Sequence, residues 1–148
     1  MHYIEPSDFS PNPGAVCGIV EFMNAVHIDH FWPKRADGKR YSMHTGSPAK
    51  ITPLTCRRLD SILDEFKVDH VDFWVLDVEG AEYEVLQTVD LTKYRIDVIA
   101  IELDGNNKEK DEKVKDHLAK LGYLIHSTFP IRNTWFVRKD FFSANFKP

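Results

Sequence analysis

From Thr55 onward the apolar residues recur with two alternating periods. Leu59, Ile62, Leu63 and Phe66 sit at helical spacing and predict a short amphipathic helix over residues 58–66. Residues 71–76 form a strand pattern that stops at Asp77, and residues 81–89 read as a helix ending before Asp90 and Lys93. Residues 96–102 are almost wholly apolar up to Glu102, as expected of a strand covered on both faces. A charged helix follows over residues 109–121, with Val114, Leu118 and Leu121 on one stripe and Gly122 as its stop. Residues 123–129 and 134–138 are strands joined by the turn Pro130-Ile131-Arg132-Asn133. Strands alternating with helices imply an α/β fold with parallel pairing and right-handed crossovers. The last hairpin adds one antiparallel strand.

Residues 1–54 have a different texture. Pro6, Pro11, Pro13, Pro33, Pro48 and Pro53 fall here, six of the eight prolines, so long helices are excluded and an irregular lead-in with short strands is expected. Residues 15–23 are apolar and rich in strand formers, with Gly18 as a bend. Residues 26–31 alternate apolar and polar, the pattern of a half-buried strand. Lys34, Arg35, Lys39 and Arg40 surround Asp37-Gly38 in what reads as an exposed, solvated turn.

Composition narrows the class. At 148 residues the chain is the size of one domain, and 43% hydrophobic residues exclude intrinsic disorder. No apolar run approaches the roughly 18 residues of a membrane helix, and Met1-His2-Tyr3-Ile4-Glu5 is no signal peptide. A net charge of -4 argues against a nucleic-acid footprint. Two cysteines, Cys17 and Cys56, are too few for a disulfide scaffold; they read as buried thiols in a reducing, cytoplasmic protein.

In open α/β sheets ligands bind beyond the carboxyl ends of the strands. Two acidic clusters fall there: Asp77-Val78-Glu79-Gly80-Ala81-Glu82 and Glu102-Leu103-Asp104-Gly105. If their strands are neighbours, Asp77, Glu79, Glu102 and Asp104 converge on one rim, where carboxylates serve as general bases, hold hydroxyl groups or bind a hard cation. The plainer reading is that acidic residues favour the positive end of a helix and that Asp-Gly-Asn is turn chemistry. No metal site is assigned: on a strand, His27 and Asp29 would face away from His30, and His44 stands apart. His126, Trp74 and Trp135 read as structural, and Trp32 as the aromatic that would line an acceptor pocket.

The stretch Asp72-Phe73-Trp74-Val75-Leu76-Asp77-Val78-Glu79-Gly80-Ala81-Glu82-Tyr83-Glu84-Val85-Leu86 closely resembles the signature of FkbM-type methyltransferases. Leu59-Asp60-Ser61-Ile62-Leu63 upstream, and Ile99-Ala100-Ile101-Glu102 and Asn133-Thr134-Trp135-Phe136-Val137-Arg138 downstream, are similar to that family's neighbouring elements, so the likeness covers residues 55–141 and, more loosely, 15–24. The resemblance implies a Rossmann-like class I fold that uses S-adenosylmethionine to methylate an oxygen of a small hydroxylated or sugar-like acceptor. It implies Asp77 as the acceptor-positioning residue or base, supported by Glu79 and Glu102, with Glu82 orienting its surroundings. Tyr3-Ile4-Glu5-Pro6 is similar to the family's second-strand ending, which would make Glu5 the ribose carboxylate.

One departure stands out. No strand, glycine-rich turn and helix precede Gly80, although the family opens with that unit to hold the cofactor. Residues 1–148 are therefore read as one incomplete domain, with a core at 55–141 and little capacity to bind S-adenosylmethionine alone. The absent strand would leave an exposed edge at residues 71–76, open to homodimerisation or to pairing with residues 15–31. The alternative reading is a non-catalytic binding module that uses this edge; a metal-dependent hydrolase built on the same carboxylates is a third.

Overall fold

The computed structural model describes residues 1–5, 17–43, 45–103, 105, 107–128 and 133–145. The chain divides into two compact units, Met1–Cys56 with Val78–Ala81, and Arg57–Asp77 with Glu82–Pro148.

The first unit contains β1 (His2–Ile4), β2 (Gly18–Ile19), α1 (Ala25–Phe31) and β3 (Ile51–Pro53). Its sheet has the order β2-β1-β3, antiparallel throughout, with Tyr3 between Ile19 and Thr52. Ile4, Met23, Ile28 and Trp32 form its core, with Cys17, Val20, Phe31 and Ala49 packed around them. The strand expected over residues 15–23 shrinks to β2, with Ala15 and Val16 outside the described residues.

The alternating stretch 26–31 is a helix rather than a strand. Asn24 caps it, its side-chain oxygen accepting from the Val26 N–H at 2.8 Å, and the Trp32 N–H closes on the Ile28 carbonyl at 2.9 Å. Ile28 and Trp32, four residues apart, therefore share one buried face. Six residues of alternation are too few to outweigh a cap and a buried i,i+4 pair.

The basic turn is exposed at Lys34, Arg35 and Lys39 as expected, and Arg40 alone of the four is half-buried. Arg40 Nη1 donates to Asp29 Oδ1 and to the Trp32 carbonyl, each at 2.7 Å, tying the turn to the end of α1. Arg35 stacks 4.1 Å from the Tyr41 ring.

Residues 78–81 pack within this unit on a tight backbone. Glu79 has φ +54° and Gly80 φ +100°. A Cβ at Gly80 would stand 2.6 Å from the Phe22 carbonyl oxygen, so only glycine fits.

The second unit holds α2 (Leu59–Glu65), β4 (His70–Leu76), α3 (Glu82–Leu86), β5 (Arg95–Glu102), α4 (Lys108–Lys120), β6 (Tyr123–Thr128), β7 (Asn133–Arg138) and α5 (Lys139–Asn145). The alternation of strands and helices expected after Thr55 is present, and the fold class is α/β. The expectation of a mostly parallel sheet needs correction. The order is β4-β5-β7-β6, with β4 and β5 parallel and both contacts of β7 antiparallel. The second arm of the hairpin lies between β5 and β6, which makes two of the three pairings antiparallel. The turn residues Pro130, Ile131 and Arg132 lie outside the described residues.

β5, between β4 and β7, buries Ile96, Ile99 and Ile101 almost completely. β4 stands at the edge with Phe73 and Val75 about half exposed. Among the described residues, none of 17–31 pairs with it, and β2 pairs with β1 in the other sheet. The α4 helix is capped by Asn107, whose side chain accepts from the Lys110 N–H at 3.2 Å, and it buries Val114 and Leu118. The Tyr123 hydroxyl donates to the Ile96 carbonyl at 2.6 Å, and burial pushes its phenol up to about 12. Among the described residues no helix is long and apolar enough to cross a membrane.

Three outcomes follow for stability. Leu118→Ala should cost about 2–5 kcal/mol in urea unfolding, against less than about 0.5 kcal/mol for Val26→Ala on an exposed site. Gly80→Ala should destabilise more than Gly105→Ala, since both have positive φ but Gly105 has open space around its Cβ. Tyr123 is neutral when folded and ionises more readily when unfolded, so its contribution holds below the ordinary tyrosine range and is lost as pH rises toward about 12. Tyr123→Phe should flatten that alkaline loss in a pH series of melting temperatures.

Candidate active site

The site is set by the register of two strands. β4 and β5 pair in parallel from His70↔Arg95 to Leu76↔Ile101, so they finish level. Asp77 is the first residue past β4, Glu102 is the last of β5, and Glu82 is the first of α3. These three carboxylates each place an oxygen within 4.8 Å of the others. Asp77 is exposed, Glu102 half-buried and Glu82 buried, so the group runs from solvent into the unit. Three carboxylates this close repel one another, which favours a ligand bringing hydroxyl donors or positive charge.

The neighbouring elements hold this rim in place. Lys110 of α4 pairs with Glu84 of α3 at 2.9 Å. The Gly105 N–H donates to Asp111 Oδ2 at 3.0 Å, which ties the segment after β5 back to α4. Asp104, expected on the rim, lies outside the described residues.

Asp77 and Glu102 are brought together as expected, and Glu82 joins them directly. The sequence carried that signal: the first residue of a helix that starts just past a strand end lies close to that end. Glu79 is not part of the trio. Its carboxylate lies 3.7 Å from His27 Nδ1 in the first unit, and the His27 ring packs 4.8 Å from Phe31.

Other side chains move from their expected roles. Helical placement of residues 25–31 removes the strand-face argument that separated His27 from His30, and His30 packs edge-on to Phe31 at 4.7 Å. His44 lies outside the described residues. Trp32 is 2% exposed and belongs to the core, so it lines no acceptor pocket. Cys17 is half-buried and accepts from the Tyr3 hydroxyl at 2.8 Å, whereas Cys56 is exposed rather than buried.

Glu5 follows β1, but its carboxylate is engaged. Lys50 reaches one oxygen at 2.8 Å and the Thr52 hydroxyl donates to the other at 2.5 Å; these bonds hold its carboxyl below the usual range. A ribose diol would have to displace them. Gly18 lies within β2, and among the described residues no glycine-rich turn leads from a strand into a helix. Among the described residues, Glu5 is thus engaged by Lys50 and Thr52 rather than open to a ribose.

Comparison with known proteins bears on the whole arrangement. A model of the methyltransferase FkbM domain matches residues 17–125, a stretch that contains Asp77, Glu79, Glu82 and Glu102. No curated protein and no solved structure matches the chain. A match over so much of the sequence, spanning both strand ends that build the acidic rim, places this chain in the FkbM methyltransferase family.

Proposed function

We propose that this protein handles the acceptor side of an S-adenosylmethionine-dependent O-methylation, with a small hydroxylated or sugar-like molecule held at the acidic rim. The observation that carries this reading is the convergence of Asp77, Glu82 and Glu102 at the carboxyl ends of two adjacent parallel strands. That edge is where α/β sheets bind ligands, and carboxylates accept hydrogen bonds from neighbouring hydroxyls of one acceptor. Asp77, exposed at the mouth, is the general base: it takes the proton that the acceptor hydroxyl loses as its oxygen forms the new carbon–oxygen bond. Glu102 orients the acceptor and Glu82 holds it from the buried side. Glu79 acts through His27 rather than from the rim. The methyl group itself is what the cofactor supplies. Free cysteines suit a reducing, cytoplasmic setting.

A second reading draws on β4, which among the described residues is an edge strand with Phe73 and Val75 about half exposed. It makes the protein an interaction module or a homodimer joined at that edge. Analytical sedimentation separates the two, since a compact monomer at high concentration counts against edge pairing.

The catalytic reading is tested by labelled methyl transfer to a panel of sugars and small hydroxylated metabolites at millimolar S-adenosylmethionine. Asp77→Asn should lower turnover by about 10²–10⁴-fold. Unchanged turnover in both Asp77→Asn and Glu102→Gln would sink the assignment. Calorimetry with S-adenosylmethionine should show only weak binding by this chain; low-micromolar affinity would overturn the account of Glu5.

A further inference from the structure

The amino ends of β4 and β5 carry a second group of convergent side chains that methyl transfer does not use. His70, Asp72 and Asp97 each offer a ligand atom within 4.8 Å of the others. His70 and Asp72 are two apart on one strand and so share a face. Asp97 falls between the paired positions Val71↔Ile96 and Phe73↔Val98, level with Asp72 on the neighbouring strand. Asp72 is five and His70 seven residue steps from Asp77, which at about 3.3 Å each places this group roughly 16–23 Å away along β4.

The chemistry here is unusual for a sheet. Two carboxylates opposite each other on adjacent strands repel unless positive charge stands between them. Asp97 is 3% exposed and is flanked in β5 by the apolar residues Ile96 and Val98 to Ile101. His70 Nε2 lies 2.8 Å from Asp97 Oδ2 and 3.9 Å from Asp72 Oδ1. Asp97 Oδ1 is buried without a hydrogen bond, although Arg95 Nε stands 2.8 Å from it as an ion pair. Arg95 also faces Asp140 at 3.5 Å, and Asp140 holds Arg138 at 3.1 Å. Asp97 and Asp140 thus balance the two arginines and leave Asp72 as the uncompensated charge.

We infer that His70, Asp72 and Asp97 form a divalent-metal site of zinc type. Zinc takes imidazole nitrogen and carboxylate oxygen at about 2.0–2.2 Å, which sets ligand atoms in a tetrahedron roughly 3.4 Å apart. The separations of 2.8 and 3.9 Å bracket that value, so small rotations of the half-exposed His70 and the exposed Asp72 close the site. An imidazole ligand selects zinc over magnesium or calcium, which prefer oxygen alone. Arg95 on Asp97 Oδ1 fixes the carboxylate so that Oδ2 turns to the metal, the outer-shell arrangement that orients a ligand. Solvent exposure of His70 and Asp72 leaves the fourth position to water. On binding, Nε2 gives up its contact with Asp97 Oδ2 to the ion, and any proton it carries moves to Nδ1 or to solvent.

The test is titration of the metal-free full chain with zinc ions against a chromophoric chelator, with cobalt spectra reporting the geometry. One zinc per chain is expected, together with a rise in melting temperature that depends on zinc. His70→Gln and Asp72→Asn change accessible side chains and should each weaken binding by about 100-fold or more and abolish that rise. Asp77→Asn and Glu102→Gln should leave it unchanged. No zinc binding, or binding indifferent to His70→Gln and Asp72→Asn, or binding lost with the rim variants instead, overturns the inference. Each outcome is independent of whether the chain transfers methyl groups.

Discussion

The parallel register between β4 and β5 is the constraint on which the chemistry of this protein depends. Hydrogen bonds fix which residues stand level, and burial fixes which face each side chain takes. β5 is packed on both faces, with Ile99 and Ile101 buried on one and Ile96 and Ala100 on the other. A slip of one residue would turn every side chain of β4 to the opposite face and send Leu76, now 2% exposed, out of the core. Because the register holds, the strands end together and two carboxylates from distant parts of the sequence meet beyond them. The same pairing places Asp72 level with Asp97 at the other end. One ladder therefore builds both clusters.

The segment after β4 shows how a short motif can answer to several demands. Asp77 belongs with the sheet, residues 78–81 pack with the first unit, and Glu82 returns to begin α3. Glu79 adopts the left-handed backbone that side chains usually avoid, at a cost of about 1–3 kcal/mol, and Gly80 follows with a larger positive φ. The Phe22 carbonyl leaves no room at Gly80 for a side chain. Gly18 lies close on the other side: a Cβ there would stand 3.2 Å from that of Glu79. The glycine in Asp-Val-Glu-Gly-Ala-Glu is thus explained by backbone approach, and Glu79 by a strained turn that carries its carboxylate to His27.

Much of the second unit was legible because its elements are long and strongly periodic. Leu59, Ile62 and Leu63 announced α2, the run Ile96 to Glu102 announced a strand buried on both faces, and Val114 and Leu118 marked the inner stripe of α4. The first unit was harder to read. Among the described residues its strands have two or three residues, too few for alternation to carry weight, and its one helix is seven residues long and owes its start to Asn24. Asp77 and Glu102 could be placed from strand ends alone. Glu82 required knowing where α3 begins, and Glu5 required knowing that Lys50 and Thr52 arrive beside it from more than forty residues away.

By itself, the sequence determined the succession of helices and strands after Thr55, the α/β class, and the presence of acidic residues at two strand ends. Those features follow from local spacing, because burial of one face imprints its period on the chain. The tertiary structure alone decided that β7 enters between β5 and β6, that residues 25–31 coil rather than extend, and which carboxylates meet. Strand order and side-chain partners are settled by contacts between residues far apart in sequence. His27 meets Glu79 and His70 meets Asp97 through packing that no local pattern records.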